Sequence, residues 1–319
     1  TGKPAMQILI LGAGALGSLL GARLAKSQAR VALFSTNQKH MQAIQSRGLE
    51  VIELDQGISK HQLQAWYRPE QISPAPDLVL VLVKSYSTLQ AVQTILPCCS
   101  QQTIFLTLQN GIGNWEKIAK AVPRKNILAG ITAQGVTYLQ PGKIRHGGDG
   151  ETSIGEIQGP AAQRVQSIVD IFQQAGLQAK ATDRTQDLLW HKLLINTGIN
   201  ALTAVLRVPN GVIAESRPAQ EVALDAVREG LALSKAQGLD LDGEAIQEQV
   251  LQVARATAQN ISSMHQDLLR GKPTEIEAIN GALVNLGQEL GIPVTVNQTL
   301  ANLVRVAQDF CKAKEAPNA

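Results

Sequence analysis

The run Gly12-Ala13-Gly14-Ala15-Leu16-Gly17 has the spacing G-x-G-x-x-G; it follows the apolar stretch Ile8-Leu9-Ile10-Leu11 and precedes the helical pattern Ser18-Leu19-Leu20-Gly21-Ala22-Arg23-Leu24. A strand, then these glycines, then a helix makes a site for the pyrophosphate of a dinucleotide. The first glycine permits the tight turn, the second lets the backbone close on the anion, and the third lets helix and strand pack while the helix amides face the phosphates. Such a site reads the adenine ribose at the end of the second strand, through an acid for a free 2′-hydroxyl or a basic group for a 2′-phosphate. Here that strand ends at Phe34-Ser35-Thr36-Asn37, with Lys39 and His40 beyond it and no carboxylate. Hydroxyls on Ser35 and Thr36 with a lysine nearby tolerate a 2′-phosphate better than an aspartate would, so the expected cofactor is NADPH/NADP+ rather than NAD. Lys39 and His40 read equally well as a solvated helix face.

Val81-Leu82-Val83-Lys84-Ser85 places a lysine at the carboxyl end of one apolar run, and Leu106-Thr107-Leu108-Gln109-Asn110-Gly111 places an amide at the end of the next. In a doubly wound sheet ligands bind at those ends, so Lys84 and Asn110 are candidates for cofactor or substrate contact; a solvated lysine and a turn asparagine are the plainer alternatives. Further on, Lys192, Asn196 and Asn200 recur at i, i+4 and i+8 in an otherwise apolar stretch. On a helix they share one face. Buried amides and a buried ammonium are costly alone, so these groups either satisfy one another and the backbone or hold a polar substrate. His191, beside the lysine, points elsewhere on the helix and reads as a packing or surface residue. A last cluster runs from Asn260 to Asp267 and from Gly271 to Gly281. Within it Thr274 to Glu277 reads as a capping box, while Glu275 either favours a helix dipole or reaches into a site.

The elements that must position these groups follow from periodicity. Apolar runs at 7–11, 30–34, 49–54, 78–83, 103–108 and 127–131 alternate with amphipathic stretches, as in a parallel sheet covered by helices. The glycine-rich segment 132–157 reads as an antiparallel extension, followed by a helix over 161–175 and a strand at 177–180. From Asp183 strand-like runs vanish, and helical spacing continues between breakers such as Val208-Pro209-Asn210-Gly211, Gly238, Gly243, Gly271-Lys272-Pro273 and Gly291-Ile292-Pro293. The expected fold class is therefore α/β, with a Rossmann-type dinucleotide-binding domain over 1–182 and an all-helical domain over 183–319. The polar tail from Lys312 is expected to fray.

Composition narrows the function classes. A net charge of +3 with scattered lysines and arginines gives a nucleic-acid partner no footprint. The apolar run 78–83 falls far short of the roughly 18 residues of a membrane helix. Nothing reads as a secretory signal, and Met6 reads as the natural start, with Thr1 to Ala5 a leader. Cys98, Cys99 and Cys311 show neither metal-ligand spacing nor a disulfide framework, so no metal is expected, all three read as packing residues, and the cytoplasm is the simplest setting.

Taken together these motifs resemble the ketopantoate reductases (2-dehydropantoate 2-reductases), in the right order along nearly the whole chain. The resemblance rests on Gly12 to Gly17, Lys84 after the fourth main strand, Asn110-Gly111 after the next, the Lys192, Asn196 and Asn200 helix, and Asn210 in a later Pro-Asn-Gly. It extends to Ser263 in S-S-M-x-Q-D and Glu275 in T-E-I-E-x-I-N-G. It implies an enzyme that uses NADPH to reduce 2-dehydropantoate to (R)-pantoate on the route to pantothenate and coenzyme A. It further implies that Lys192 is the general acid that protonates the substrate carbonyl oxygen. Glu275 is implied to bind the substrate hydroxyl and help place Lys192, with Asn110, Asn196, Asn200, Asn210 and Ser263 lining the pocket. Many relatives carry an arginine where this chain has Thr36, which weakens the NADP preference without suggesting NAD. Two alternatives stand beside this reading: a reductase of another small 2-keto acid, and a non-catalytic NADP(H) sensor, which has no need of Lys192 and Glu275 together. A homodimer is compatible with the sequence, which does not fix the oligomeric state.

Overall fold

The structure, a computed structural model, describes residues 5–315. They fall into two units, one of residues up to 109 with 114–186 and one of 110–113 with 187 onward.

In the first unit the short apolar runs, rich in branched residues and bounded by turn residues, become strands. In chain order come β1 (Gln7–Leu11), α1 (Ala15–Leu24), β2 (Arg30–Phe34), α2 (Gln38–Arg47), β3 (Leu49–Ile52), β4 (Ile58–His61), β5 (Gln64–Trp66) and β6 (Leu78–Val81). Then follow α3 (Thr88–Ile95), β7 (Ile104–Thr107), α4 (Asn114–Ala119), β8 (Ile127–Thr132), β9 (Gly135–Gln140), β10 (Lys143–Gly148), β11 (Thr152–Glu156), α5 (Gln163–Gln174) and β12 (Ala179–Ala181). The large sheet runs β12-β11-β8-β7-β6-β1-β2-β5. From β8 to β5 its strands are parallel, and β11 turns antiparallel against β8. Every residue of β6 is buried, as are all but the first of β1 and β2, because helices cover both faces of the sheet.

The expected strand at 49–54 is corrected in one respect. It forms as β3, but not in the parallel sheet: it belongs to a separate four-stranded sheet of order β4-β3-β10-β9. The place beside β2 goes to the short β5. Leu49 and Val51 are buried while Glu50 and Ile52 are only half-buried, the alternation of a sheet covered on one face. The covered face lies against α1, which touches β3, β9 and β10. Segment 132–157 does form antiparallel pairs, β9 with β10 and β11 with β8.

The second unit is helical: α6 (Thr185–Leu206), which starts two residues earlier, then α7 (Val212–Glu215), α8 (Arg217–Ala236), α9 (Gly243–Ala256), α10 (Ser263–Leu269), α11 (Asn280–Leu290) and α12 (Thr295–Glu315). Its core joins Leu193 and Leu194 of α6 to Val227 of α8, Val250 of α9 and Leu283 of α11. The breakers act where expected; Gly291, for example, ends α11 in the left-handed conformation. Helix α12 runs to Glu315, and residues 316–319 of the expected tail lie outside the described residues. Among the described residues no helix is long and apolar enough to cross a membrane, and no three His, Cys, Asp or Glu cluster to hold a metal. The three cysteines are free and half-buried.

One ion pair ties α1 to the small sheet. Both guanidinium nitrogens of Arg23 reach Glu53, at 3.0 and 2.5 Å. The bonds from Arg23, helped by the Ser59 hydroxyl and opposed by burial, hold the Glu53 carboxyl down to about 2, below its ordinary 4.5. A folded-state value below the unfolded one means that the pair stabilises fully above about pH 4.5 and is lost as pH falls toward 2. Glu53→Gln should therefore lower Tm at pH 7, and its gap from the parent protein should close as the pH approaches 2. A gap independent of pH would show that the loss is one of packing and not of charge.

Candidate active site

In the first unit the glycine loop is set by close approach. Gly12 has a φ of +103°, and a Cβ there would lie 2.4 Å from the Val83 nitrogen, so only glycine lets the end of β1 pass against the segment that follows β6. Gly12 N and Ala13 N both donate to Phe34 O, at 2.9 and 3.1 Å, which seats the loop beside the end of β2. A Cβ on Gly17 would meet Gly12 O at 2.3 Å, so α1 closes directly on the loop. Gly14, in contrast, is exposed, with nothing within 4 Å of its Cβ direction. Ala15 and Leu16 open α1, which has no side-chain cap and no acidic residue in its first turn. Its first amides are thus left for an anion, and the loop fits the pyrophosphate of a dinucleotide.

The neighbouring candidates sit at adjacent strand ends. Ser35 is half-buried, with its hydroxyl accepting from Asn37 N at 3.2 Å, and Thr36 is exposed. Lys84 is half-buried three residues past β6, directly after the Val83 that Gly12 touches. Lys39 is exposed, but His40 is wholly buried, which corrects the solvated-face reading for it. With Asn37 as N-cap of α2, the His40 ring turns inward to Ser18 of α1 and Gly142. Gln109 went unremarked in the sequence, yet its side-chain amide donates to Val83 O at 2.6 Å and to Thr88 Oγ1 at 2.8 Å, while Thr107 Oγ1 donates to its oxygen at 2.9 Å. It fixes the segment bearing Lys84, and its place just before Asn110-Gly111 was the available signal.

The second unit gathers the other candidates. Lys192, Asn196 and Asn200 all lie on α6. Lys192 and Asn196 are half-buried and Asn200 is buried. Burial lowers the Lys192 ammonium from its ordinary value to about 8, and the Glu275 carboxylate opposes that fall. Glu275 is itself buried, at the start of the 3-10 turn Ile276–Ala278. Residues 110–113 pack on the same turn: Ile112 N donates to Ala278 O at 3.0 Å, and a Cβ on Gly111 would lie 2.1 Å from that oxygen. Half-buried Asn110 is thereby held near the carrier of Glu275. Asn210 is buried; its Nδ2 donates to Thr257 Oγ1 at 2.9 Å, and its Oδ1 has no hydrogen-bond partner among the described residues. Ser263 is exposed at the first turn of α10. Its neighbour Ser262, not singled out in the sequence, caps α10 by accepting from His265 N and also accepts from Thr203 Oγ1 of α6 at 2.9 Å. Ser262 thus sets α10 in register with the α6 face; the serine pair before a helical run was its signal.

The expected capping box at Thr274 to Glu277 does not form. Thr274 Oγ1 accepts from Ile276 N, while Glu277 is exposed and takes two 2.8 Å bonds from Arg305 of α12. The chain makes a 3-10 turn before α11 and does not begin a helix at Thr274, so Glu277 has no Ncap to serve.

The family described as "Ketopantoate reductase PanE/ApbA" matches residues 8–159, and "Ketopantoate reductase PanE/ApbA C terminal" matches 184–308. The chain belongs to the ketopantoate reductase family. The 2-dehydropantoate 2-reductase of Halobacterium salinarum is 39% identical over 303 residues, covering 95% of this chain and 99% of that one. Among solved structures, the ketopantoate reductase of Ralstonia eutropha JMP134 is similar at a TM-score of 0.88 and 31% identity, over 96% of this chain and 100% of that one. A D-mandelate dehydrogenase with NADH and anilino(oxo)acetate is similar at 0.91 and 25% identity, over 96% and 99%.

Acetylation of Lys192 by acetic anhydride, followed by peptide mass spectrometry, should accelerate through a midpoint near pH 8. Glu275→Gln should move that midpoint lower, because it removes the charge that opposes desolvation. A midpoint at the ordinary lysine value in the parent protein would show that the amine is fully hydrated.

Proposed function

We propose that this chain reduces 2-dehydropantoate to (R)-pantoate with NADPH, the step that supplies pantothenate and coenzyme A synthesis. The observation that carries the reading is an ammonium, lowered to about 8 by burial and held up by a buried carboxylate, on the helical unit of a ketopantoate reductase family member. In this reading residues 1–182 bind the dinucleotide and 183–319 bind the substrate. Gly12 to Gly17, Ser35, Thr36, Lys84 and Asn110 serve the cofactor, and the cytoplasm is the setting.

Bound NADPH supplies a hydride to the keto carbon. As negative charge grows on the keto oxygen, the Lys192 ammonium stabilises it and passes its proton there, leaving a hydroxyl on the product and a neutral amine on the protein. Glu275 keeps the amine protonated until that moment and takes the substrate hydroxyl as a hydrogen-bond donor. Asn110, Asn196, Asn200, Asn210 and Ser263 orient the rest of the keto acid.

The likeness to D-mandelate dehydrogenase supports a second reading, a reductase of another 2-keto acid with the same proton donor. Rates of NADPH oxidation with 2-dehydropantoate, pyruvate, 2-ketoisovalerate and phenylglyoxylate separate the two. Clear preference for 2-dehydropantoate is expected, and equal rates would defeat the assignment. Lys192→Ala should lower turnover by roughly two to four powers of ten while leaving the Kd for NADPH nearly unchanged. A loss confined to cofactor affinity would contradict the role given to the amine.

Thr36 is exposed beyond β2 with no arginine in its place. Thr36→Arg should tighten binding of NADPH but not of NADH, measured by fluorescence titration, because a guanidinium pairs with a 2′-phosphate and finds no such partner on a 2′-hydroxyl. Equal effects on both would show that the side chain never meets the phosphate.

A further inference from the structure

His40 lies wholly buried in α2, and the reaction proposed above makes no use of it. Its Nδ1 accepts from the backbone N–H of Gly142, in the turn between β9 and β10, at 2.9 Å. A ring nitrogen that accepts carries no proton, so the hydrogen sits on Nε2 and is donated to Ser18 Oγ at 3.0 Å. Ser18 Oγ then donates to Ala13 O at 3.4 Å. Burial pushes the imidazole down to about 4, so the order of protons in this chain holds throughout the neutral range. The ring also meets the Tyr138 ring of β9 edge-on, with centroids 5.1 Å apart.

The far end of this chain is the glycine loop. Ala13 is the loop's second residue, and the peptide it shares with Gly14 is held from both sides: Ser18 takes its carbonyl oxygen, and Gly14 N donates to Gly12 O at 2.8 Å. The backbone of His40 holds the other cofactor segment, since its N–H reaches Asn37 Oδ1 at 3.2 Å and Asn37 N reaches Ser35 Oγ at 3.2 Å. His40 therefore stands between the loop read as meeting the pyrophosphate, which its ring reaches through Ser18, and the segment read as meeting the 2′ position, which its backbone N–H reaches through Asn37.

We propose that His40 is a positioning residue for the cofactor: through Ser18 it locks the glycine loop into its binding conformation before the dinucleotide arrives, using the β9–β10 turn as its anchor. The proposal rests on the dinucleotide reading of the first unit. Ordering the loop in advance removes a cost that would otherwise be charged against binding, so the effect falls on affinity and not on the chemical step.

The test separates the two sides of the ring. In His40→Asn the amide oxygen stands near the place of Nδ1 and keeps the bond from Gly142 but loses Ser18; in His40→Gln the amide nitrogen reaches the place of Nε2 and keeps Ser18 but loses Gly142. Ser18→Ala removes the link by a change of one atom and carries the test alone should either histidine variant fail to fold. The Kd for NADPH is measured by fluorescence titration, kcat at saturating NADPH, and Tm without cofactor. His40→Asn and Ser18→Ala should each raise the Kd about tenfold with kcat unchanged, and His40→Gln should restore most of the affinity. The double variant His40→Asn with Ser18→Ala should be no weaker than either alone. The proposal is overturned if Ser18→Ala binds NADPH as the parent does, or if His40→Asn and His40→Gln lose Tm and affinity equally, the mark of a merely structural role. Failure of the unmodified protein to bind any nicotinamide dinucleotide would instead overturn the functional reading on which the proposal stands.

Discussion

A charge withdrawn from water is the constraint around which the helical unit is arranged. Burial makes the Lys192 ammonium a stronger acid than an ordinary lysine, and the charge of the buried Glu275 carboxylate opposes that shift. The two come from places far apart in the sequence, one on α6 and the other at the head of a 3-10 turn, so the surrounding contacts serve to hold those elements in register. Ser262 ties α6 to α10, and Arg305 of α12 holds Glu277, two residues past Glu275. An ammonium lowered to about 8 is thus a product of packing more than of any single residue.

The first unit works from the opposite principle, since its candidate groups are mostly backbone. Gly12 is pressed against Val83 and Gly17 against Gly12 O, while Gly14 remains open between them. Side chains act at one remove: Gln109 pins Val83, and the Ser18 hydroxyl meets Ala13. Rigid amides suit an anion whose position must not vary, whereas a titrating side chain suits a proton that must move.

Much of this was legible in the sequence where the signal was local. The strands of the parallel sheet announce themselves as continuous apolar runs because both faces are covered. The glycine loop and the lysine and asparagine face of α6 follow from spacing alone. What escaped was set by distant partners. Ile58–His61 and Gln64–Trp66 are too short and too polar to read as strands, and they form because β3 and β2 offer edges. Local charge suggested a surface for His40, and its burial depends on Gly142, 102 residues away. At Glu277 the nearby capping pattern gave way to a cation 28 residues on. Gln109 and Ser262 were overlooked because their importance lies in what they hold and not in any chemistry of their own.

Residues 110–113 count with the helices although 109 and 114 on either side of them count with the sheet. The chain therefore visits its helical half twice, first for a loop of four residues and then for good. Gly111, whose missing side chain makes room for Ala278 O, belongs with the helices although its neighbours in sequence belong with the sheet. A helical segment cut out from residue 187 onward would lack residues 110–113, and with them the bond that Ile112 N gives to Ala278 O.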